Sequence, residues 1–144
     1  PRHRDKPPRD KRPGSFYLLG FTHYWGRSKK GFWVVKRKTE KRRLARAIRR
    51  IHVWCKRHCH ESIEYQHKVL RWKLNGHYAY YGVTGNNRSL EQFYCQAGRA
   101  WKRWLCRRSR ANQRKNWEWF TNAVRSYPLP KPRIVHSIYR VAKP

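Results

Sequence analysis

Apolar side chains recur at three- and four-residue steps through the middle of this chain, a spacing that predicts helices with one buried face. The clearest such segment follows Thr39, which is a candidate N-cap. Its apolar face carries Leu44, Ala47, Ile48, Ile51, Trp54, Cys55 and His58. At about 100° per residue, the opposite side carries Arg42, Arg46, Arg49, Arg50, Lys56 and Arg57, with Val53 among them. The pattern predicts a helix whose basic face is directed to solvent.

A second helix is predicted after Ser62, whose hydroxyl can cap it, with Glu64 in the first turn. One face carries Ile63, Leu70, Leu74, His77 and Tyr81, and the far side carries Tyr65, Val69 and Trp72. A helix that is apolar on two faces usually lies between two neighbours. We therefore expect a central helix in which Tyr65 and Trp72 pack. The alternative makes these two rings exposed platforms for base stacking, and Tyr80 is a third stacking candidate.

An uncharged corner follows the second helix and leads into a third. Gly82 suits the left-handed conformation that ends a helix, and Gly85 suits the turn that follows, so both are expected to form a structural hinge. Asn86, Asn87 or Ser89 can cap the third helix. Its apolar face is predicted to carry Leu90, Phe93, Tyr94, Ala97, Trp101, Trp104 and Leu105. The basic residues at its start and on its outer side are Arg88, Arg99, Lys102, Arg103, Arg107 and Arg110.

The remaining segments complete a mainly α-helical fold class. Two runs rich in aromatic and β-branched residues, 16–25 and 32–37, flank a Gly-containing loop and predict a β-hairpin, which must lie against something to be stable. Asn116 can cap a last short helix that Pro128 would end. We expect a disordered basic tail or linker (1–15), which can alternatively order on RNA, the hairpin (16–38), a domain of three or four helices (39–127) and an extended Pro-rich C-terminal segment (128–144).

The net charge indicates what kind of partner this protein binds. Lys plus Arg number 37 against 7 Asp plus Glu, a formal net charge of +30 over 144 residues. Such an excess opposes compaction unless an anionic partner screens it. Nucleic acid fits best, because phosphates supply negative charge and bases can stack on the 15% of residues that are aromatic. The rings favour single-stranded or folded RNA. An anionic membrane surface is the weaker alternative, and no apolar run approaches the ~18 residues of a membrane span.

Catalytic chemistry has little support in the sequence. The aspartates are Asp5 and Asp10, and the glutamates are dispersed, so no carboxylate cluster for hydrolysis or phosphoryl transfer is visible. Cys55 and Cys59 stand near histidines, yet a zinc site normally draws its four ligands from two separated pairs. We expect these cysteines to pack reduced in the core, and we assign no catalytic or metal-binding residue. A zinc-dependent nuclease is the alternative of another class.

Several stretches of the chain resemble one protein family. Phe16–Thr22 (FYLLGFT) is similar to the Phe-Leu-Gly-Phe strand that closes the palm in group II intron-encoded reverse transcriptases. Leu74–Asn86 (LNGHYAYYGVTGN) resembles a tyrosine–glycine stretch of their maturase-specific domain, also called domain X, which doubles as the polymerase thumb. Trp101–Leu105 and Tyr127–Arg133 fit later segments of the same family. The resemblance covers residues 16–137, in the family's order.

The resemblance implies a fragment of a mobile-element protein, an expectation to which the first residue, Pro1, and the lack of Met also contribute. It implies a thumb-like helical bundle that binds intron RNA, assists splicing and holds the RNA/DNA template–primer duplex. The family's Tyr-Ala-Asp-Asp strand and fingers are absent from this sequence. The fragment is therefore expected to need no cofactor and not to polymerise DNA alone, whereas its parent would be a Mg-dependent RNA-directed DNA polymerase.

The same resemblance implies three partners: intron RNA, the template–primer duplex, and the missing fingers and palm. Because nothing in the sequence marks secretion, we also expect an intracellular reducing compartment, the bacterial cytoplasm or an organellar matrix. The alternative function is a structural RNA-binding protein of the ribosome-associated type, with no polymerase context.

Overall fold

The computed structural model describes residues 14–112 and 116–137, in which a small sheet precedes a set of helices. The strands are β1 (Phe16–Leu18), β2 (Phe21–Arg27) and β3 (Trp33–Thr39). The helices are α1 (Lys41–Arg57), α2 (Ile63–Tyr81), α3 (Asn87–Cys106) and α4 (Trp117–Ala123), with a 3-10 turn at Arg110–Asn112. This architecture confirms the predicted fold class. The expectations for residues 1–13 and 138–144 lie outside the described residues.

The sheet has three antiparallel strands in the order β1-β2-β3, where the sequence predicted a two-stranded hairpin. The first predicted run divides at Leu19 and Gly20, which both have positive φ, at 51° and 80°. A two-residue turn of this handedness matches the twist of adjacent strands, so Leu18 can pair directly with Phe21. The strand-forming residues around it gave no signal of this turn, because Leu19 is an unusual residue at positive φ.

The core lies where α1, α2 and α3 bring their apolar faces together with Phe120 of α4. Its buried side chains are Leu44, Ile51, Cys55, Leu70, Leu74, Tyr78, Leu90, Phe93, Ala97, Ala100, Trp101, Leu105 and Phe120. Burying a large apolar side chain contributes roughly 1.5–3 kcal/mol. The apolar faces predicted for α1 and α3 are confirmed, as is the burial of Cys55 and Cys59.

The start of α1 differs from the prediction, because Thr39 is the last residue of β3 and Glu40 is the N-cap. The backbone N–H of Thr39 donates to Asn86 Oδ1 at 2.8 Å, and its hydroxyl accepts from Asn86 Nδ2 at 2.8 Å. The side chain of Thr39 therefore joins the end of the sheet to the corner between α2 and α3, and α1 begins without a side-chain cap. By contrast, Ser62 and Asn116 cap α2 and α4 as predicted, accepting from the N–H groups of Tyr65 and Trp119.

Helix α2 buries one face, and its predicted second packed face is wrong. Leu70, Leu74 and Tyr78 are fully buried, whereas Tyr65 is 44% and Trp72 is 63% exposed. Besides α1 and α3, the C-terminal segment contacts α2, through His67, Tyr78 and the carbonyl of Ala79. These contacts do not involve Tyr65 or Trp72, and both rings remain at the surface.

The C-terminal segment follows α4, which ends at Ala123, so Pro128 does not terminate that helix. The carbonyl of Pro128 lies 2.9 Å from His67 Nε2, and the hydroxyl of Tyr78 donates to the carbonyl of Pro130 at 3.0 Å. The segment then reaches the corner between α2 and α3, where the N–H of Val135 donates to the carbonyl of Gly82 at 2.7 Å. The predicted extended course is confirmed as far as residue 137.

The corner glycines are required for two different reasons. Gly85 has a φ of 93°, which confirms its predicted place in a turn. Gly82 has a φ of −73°, so the left-handed conformation predicted for it is wrong. A Cβ at Gly82 would instead meet the Tyr78 carbonyl oxygen and lie 2.8 Å from the Arg133 carbonyl oxygen. Glycine is needed there because the C-terminal segment approaches the backbone.

Candidate nucleic-acid interface

A basic stripe runs along the outer side of α1. Its members are Arg42, Arg46, Arg49, Arg50, Lys56 and Arg57, all of them exposed. With a rise of 1.5 Å per residue, the stripe is about 22 Å long. Val53 lies among these residues and is 41% exposed, as the periodicity predicted. The buried residues of α1 occupy the opposite side, so the charges are held outward by the packing of the helix.

The basic residues of α1 and α3 meet around the indole of Trp104. Lys56 Nζ lies 5.7 Å from the ring centroid, and the guanidinium carbons of Arg103 and Arg107 lie 5.8 and 5.2 Å from it. The indole N–H donates to His52 Nδ1 at 3.2 Å, which ties α3 to α1. Burial, and next the charge of Arg103, lowers the pKa of His52, so a neutral ring accepts this bond. Trp104 thus joins three cations from two helices.

The other basic residues predicted on α3 are more dispersed. Arg88, Arg99 and Arg110 are exposed, and Lys102 is half-buried with its Nζ 4.9 Å from the centroid of Trp117. Arg88 stands at the start of α3, far along the helix from Arg103 and Arg107. No contact with Trp104 joins Arg88, Arg99 or Arg110 to the junction in the part of the chain that the structure describes.

Very little of this charge is neutralised by ion pairs among the described residues. Across residues 14–112 and 116–137, one ion pair is formed, between Arg43 Nε and Glu40 Oε2 at 3.8 Å. Both partners lie at the surface, where such a pair contributes at most about 1 kcal/mol. The cations of the stripe and of the Trp104 junction are therefore open to an external anion.

The stacking candidates differ in how much each is used by the protein itself. Trp72 is 63% exposed, and Lys68 Nζ lies 5.3 Å from its ring centroid. Tyr65 is 44% exposed but leans towards Trp54, at a centroid distance of 6.5 Å. Tyr80 is 53% exposed, and its hydroxyl donates to the carbonyl of Leu19 at 3.0 Å, so it also anchors the turn after β1. Trp72 is the most exposed of the three rings and is therefore the strongest candidate for stacking on a base.

Two lysines of α2 were missed by the sequence analysis. Lys68 lies over Trp72, as described above, and Lys73 Nζ lies 5.8 Å from the ring centroid of Trp54. The signal that points to Lys68 is its spacing of four residues from Trp72, which places both side chains on one helix face. The pairing of Lys73 with a ring of α1 is a tertiary contact, which the spacing within α2 does not reveal.

Asn86 fixes the corner between α2 and α3 to the end of the sheet. Besides its two bonds to Thr39, its Nδ2 donates to the carbonyl of Tyr81 at 2.8 Å. The residue is 1% exposed, and its side chain makes no capping bond to α3. A buried amide satisfied by three partners orients the corner rigidly, because leaving any of these groups unpaired costs free energy. The sequence suggested Asn86 only as a helix cap.

Buried titratable groups around the core are held neutral. Burial lowers the pKa of His77 to about 4, and its ring stacks on Phe93 with the centroids 3.8 Å apart. Burial raises the pKa of Cys55 to about 12, so this cysteine is a thiol at neutral pH. Metal ligation requires a thiolate, and the described residues contain no group of three His, Cys, Asp or Glu placed to hold a metal ion.

None of the helices that the structure describes is long and apolar enough to cross a membrane. Comparisons of the chain with protein-family models, with curated proteins and with solved structures find no significant match.

Proposed function

We propose that this chain is an RNA-binding domain, of the maturase and thumb type found in group II intron reverse transcriptases. In this proposal it binds intron RNA to assist splicing, and it holds the template–primer duplex when joined to the fingers and palm. The observation that carries RNA binding is the convergence of Lys56, Arg103 and Arg107 on Trp104, at the end of the basic stripe of α1. Cations beside an aromatic ring suit a phosphate next to a base.

The exposed start of the sheet supports a protein partner. Phe16, Tyr17, Leu18 and Leu19 are 48–73% exposed, and among the described strands β1 lies at the edge of the sheet. Three exposed apolar residues on an edge strand, followed by Leu19 in the turn, favour a covering partner, because such an edge otherwise promotes aggregation. A polymerase palm is the partner that the resemblance of Phe16–Thr22 implies, and polymerase activity would require it.

The RNA-binding proposal is tested by removing charge from the stripe. The variant Arg46→Ala, Arg49→Ala, Arg50→Ala should bind a single-stranded oligouridylate more weakly and with a smaller salt dependence. Each lost phosphate contact lowers the slope of log K against log salt by about 0.7 for single strands and about 0.9 for duplex. Fluorescence anisotropy over a salt series measures both quantities, and circular dichroism should show unchanged helix content.

A charge-matched variant is the control. Arg27→Ala, Lys29→Ala, Lys30→Ala removes the same charge from exposed positions around the β2–β3 loop, away from the stripe. The proposal requires the stripe variant to lose more affinity and more slope than this control. Equal losses would mean that only net charge matters. A preference for group II intron RNA over a ribosomal RNA fragment of equal length separates the maturase proposal from the ribosome-associated alternative.

A further inference from the structure

A cavity of about 490 Å³ opens between α3, α4 and the chain that follows α4. Its volume lies within the range of roughly 300–1,000 Å³ that is usual for small-molecule sites. Trp101 and Phe120 are buried at its base, with their rings edge to face at 5.6 Å between centroids. Trp117 packs on Phe120 in the same manner at 5.5 Å and is 51% exposed. The cavity therefore has an aromatic wall with one ring still open to a ligand.

The rim of this cavity is cationic. Arg99 and Arg125 are the charged residues that line it, and no carboxylate is among the described lining residues. Lys102, beside the cavity, holds its Nζ over the Trp117 ring, 4.9 Å from the ring centroid. An aromatic wall below a cationic rim is complementary to a flat, apolar ring that carries a phosphate. A purely apolar ligand would leave the guanidinium groups of Arg99 and Arg125 without an anion, although Arg125 also donates to Asn122 Oδ1 at 3.1 Å.

Gly98 keeps the α3 wall of the cavity open. A glycine inside a helix costs up to about 1 kcal/mol relative to alanine. No heavy atom lies within 4 Å of the position that a Cβ of Gly98 would occupy, so internal packing does not require glycine there. The space that the missing side chain leaves belongs to the cavity, since Gly98 is one of its lining residues.

We propose that this cavity binds a single unstacked nucleobase, which stacks on Trp117 while Arg99, Lys102 and Arg125 contact the adjoining phosphate. This inference rests on the proposed function and makes it more specific, since it describes how one nucleotide of a bound strand would leave the stack. Single-stranded RNA can present a base in this way because its bases are not paired. A free nucleotide has the same chemistry, and the experiment distinguishes the two sources.

Gly98→Leu fills the cavity without straining the helix, since leucine is a good helix former and the space is open. Its affinity for a single-stranded oligouridylate should fall about 5- to 150-fold, the effect of losing one stacked base, while the salt slope stays as in the unmodified chain. Gln92→Leu introduces the same side chain at an exposed position of α3 outside the cavity, and should bind normally. Trp117→Ala, at a half-exposed position, should reproduce the loss without filling the cavity.

Cys95 supplies an independent readout, because it lines the cavity and is exposed while Cys55, Cys59 and Cys106 are buried. A water-soluble maleimide should label Cys95 first, and a bound base should slow that labelling several-fold. Protection by the oligouridylate indicates a base of an RNA strand. Protection by adenosine monophosphate alone, with oligouridylate affinity unaffected by Gly98→Leu, indicates a free nucleotide. In both cases Gly98→Leu should abolish the protection.

The cavity proposal is overturned if neither ligand protects Cys95 and Gly98→Leu binds oligouridylate as tightly as the unmodified chain. Salt-dependent binding that persists in that experiment leaves the proposed RNA-binding function intact. If adenosine monophosphate protects Cys95 and the chain does not bind oligouridylate at all, the cavity proposal is supported and the proposed RNA-binding function is contradicted.

Discussion

Helices α1 and α2 are similar in length, yet α1 exposes a row of cations whereas α2 exposes several aromatic rings. Helix α1 carries a stripe of six exposed cations opposite Leu44, Ile51 and Cys55. Helix α2 exposes the rings of Tyr65, Trp72 and Tyr80 and buries the polar side chain of Gln66 with its apolar face. The outward position of the cations on α1 follows from the periodicity of its own sequence. Which side chains of α2 are buried depends instead on the elements that pack against it.

The burial of Gln66 illustrates this dependence of α2 on tertiary contacts. Its Nε2 donates to the carbonyl of Glu61 at 2.9 Å, and its Oε1 accepts from the indole N–H of Trp101 at 2.8 Å. Both groups of the amide are satisfied, so the residue can be buried without a large desolvation cost. No hydrophobic pattern along α2 indicates this, because the partner indole comes from α3.

The largest expected effect on stability comes from disturbing the contact between α2 and the C-terminal segment. Gly82→Ala should lower the free energy of unfolding by roughly 1–3 kcal/mol, as overpacking does, because its Cβ would meet backbone atoms of Tyr78 and Arg133. Urea unfolding measures the loss. Gly98→Ala is the matched control and should be neutral or stabilising by up to about 1 kcal/mol. Equal midpoints for both variants would contradict the close approach at Gly82.

An intermediate effect concerns the exposed rings of α2. Trp72→Ala should weaken binding to oligouridylate about 5- to 150-fold, the effect of one lost base stack, with an unchanged salt slope because no cation is removed. Its thermal midpoint should change little, since surface substitutions usually alter stability by less than about 0.5 kcal/mol. Tyr17→Ala, another exposed ring, is the control and should leave binding unaltered. A reduced salt slope in Trp72→Ala would show that α2 also acts through charge.

The most gradual effect is the pH dependence of stability. Burial lowers the pKa of His77 from 6.5 to about 4, so the folded protein holds the ring neutral. The stabilisation from this difference is complete above pH 6.5 and declines as the pH falls towards 4, with a slope below about 1.4 kcal/mol per pH unit because the ring is only partly buried. His77→Phe keeps a ring against Phe93 and should flatten the decline, as measured by urea midpoints across that window. An unaltered pH profile would assign the decline to other groups.

Local patterns were enough to predict most of the helical framework. The sequence was enough to predict the apolar and basic faces of α1 and α3, the Ser62 and Asn116 caps and the turn at Gly85. Each of these features depends on residues within one or two helical turns. The exposed cations of α1 and α3 could be predicted for the same reason. Their convergence on Trp104 could not be predicted, since it depends on how α1 and α3 cross.

The sequence by itself determined that this protein has amphipathic basic helices, few acidic groups to neutralise them and an uncharged corner rich in tyrosine. Only the tertiary structure decided that Tyr78 is buried there, that Gly82 admits the C-terminal segment and that Asn86 joins the corner to the sheet. The physical reason is the range of the interactions. Side-chain periodicity reports on which face of a helix is apolar, whereas burial and polar satisfaction depend on residues about 50 positions away in the chain.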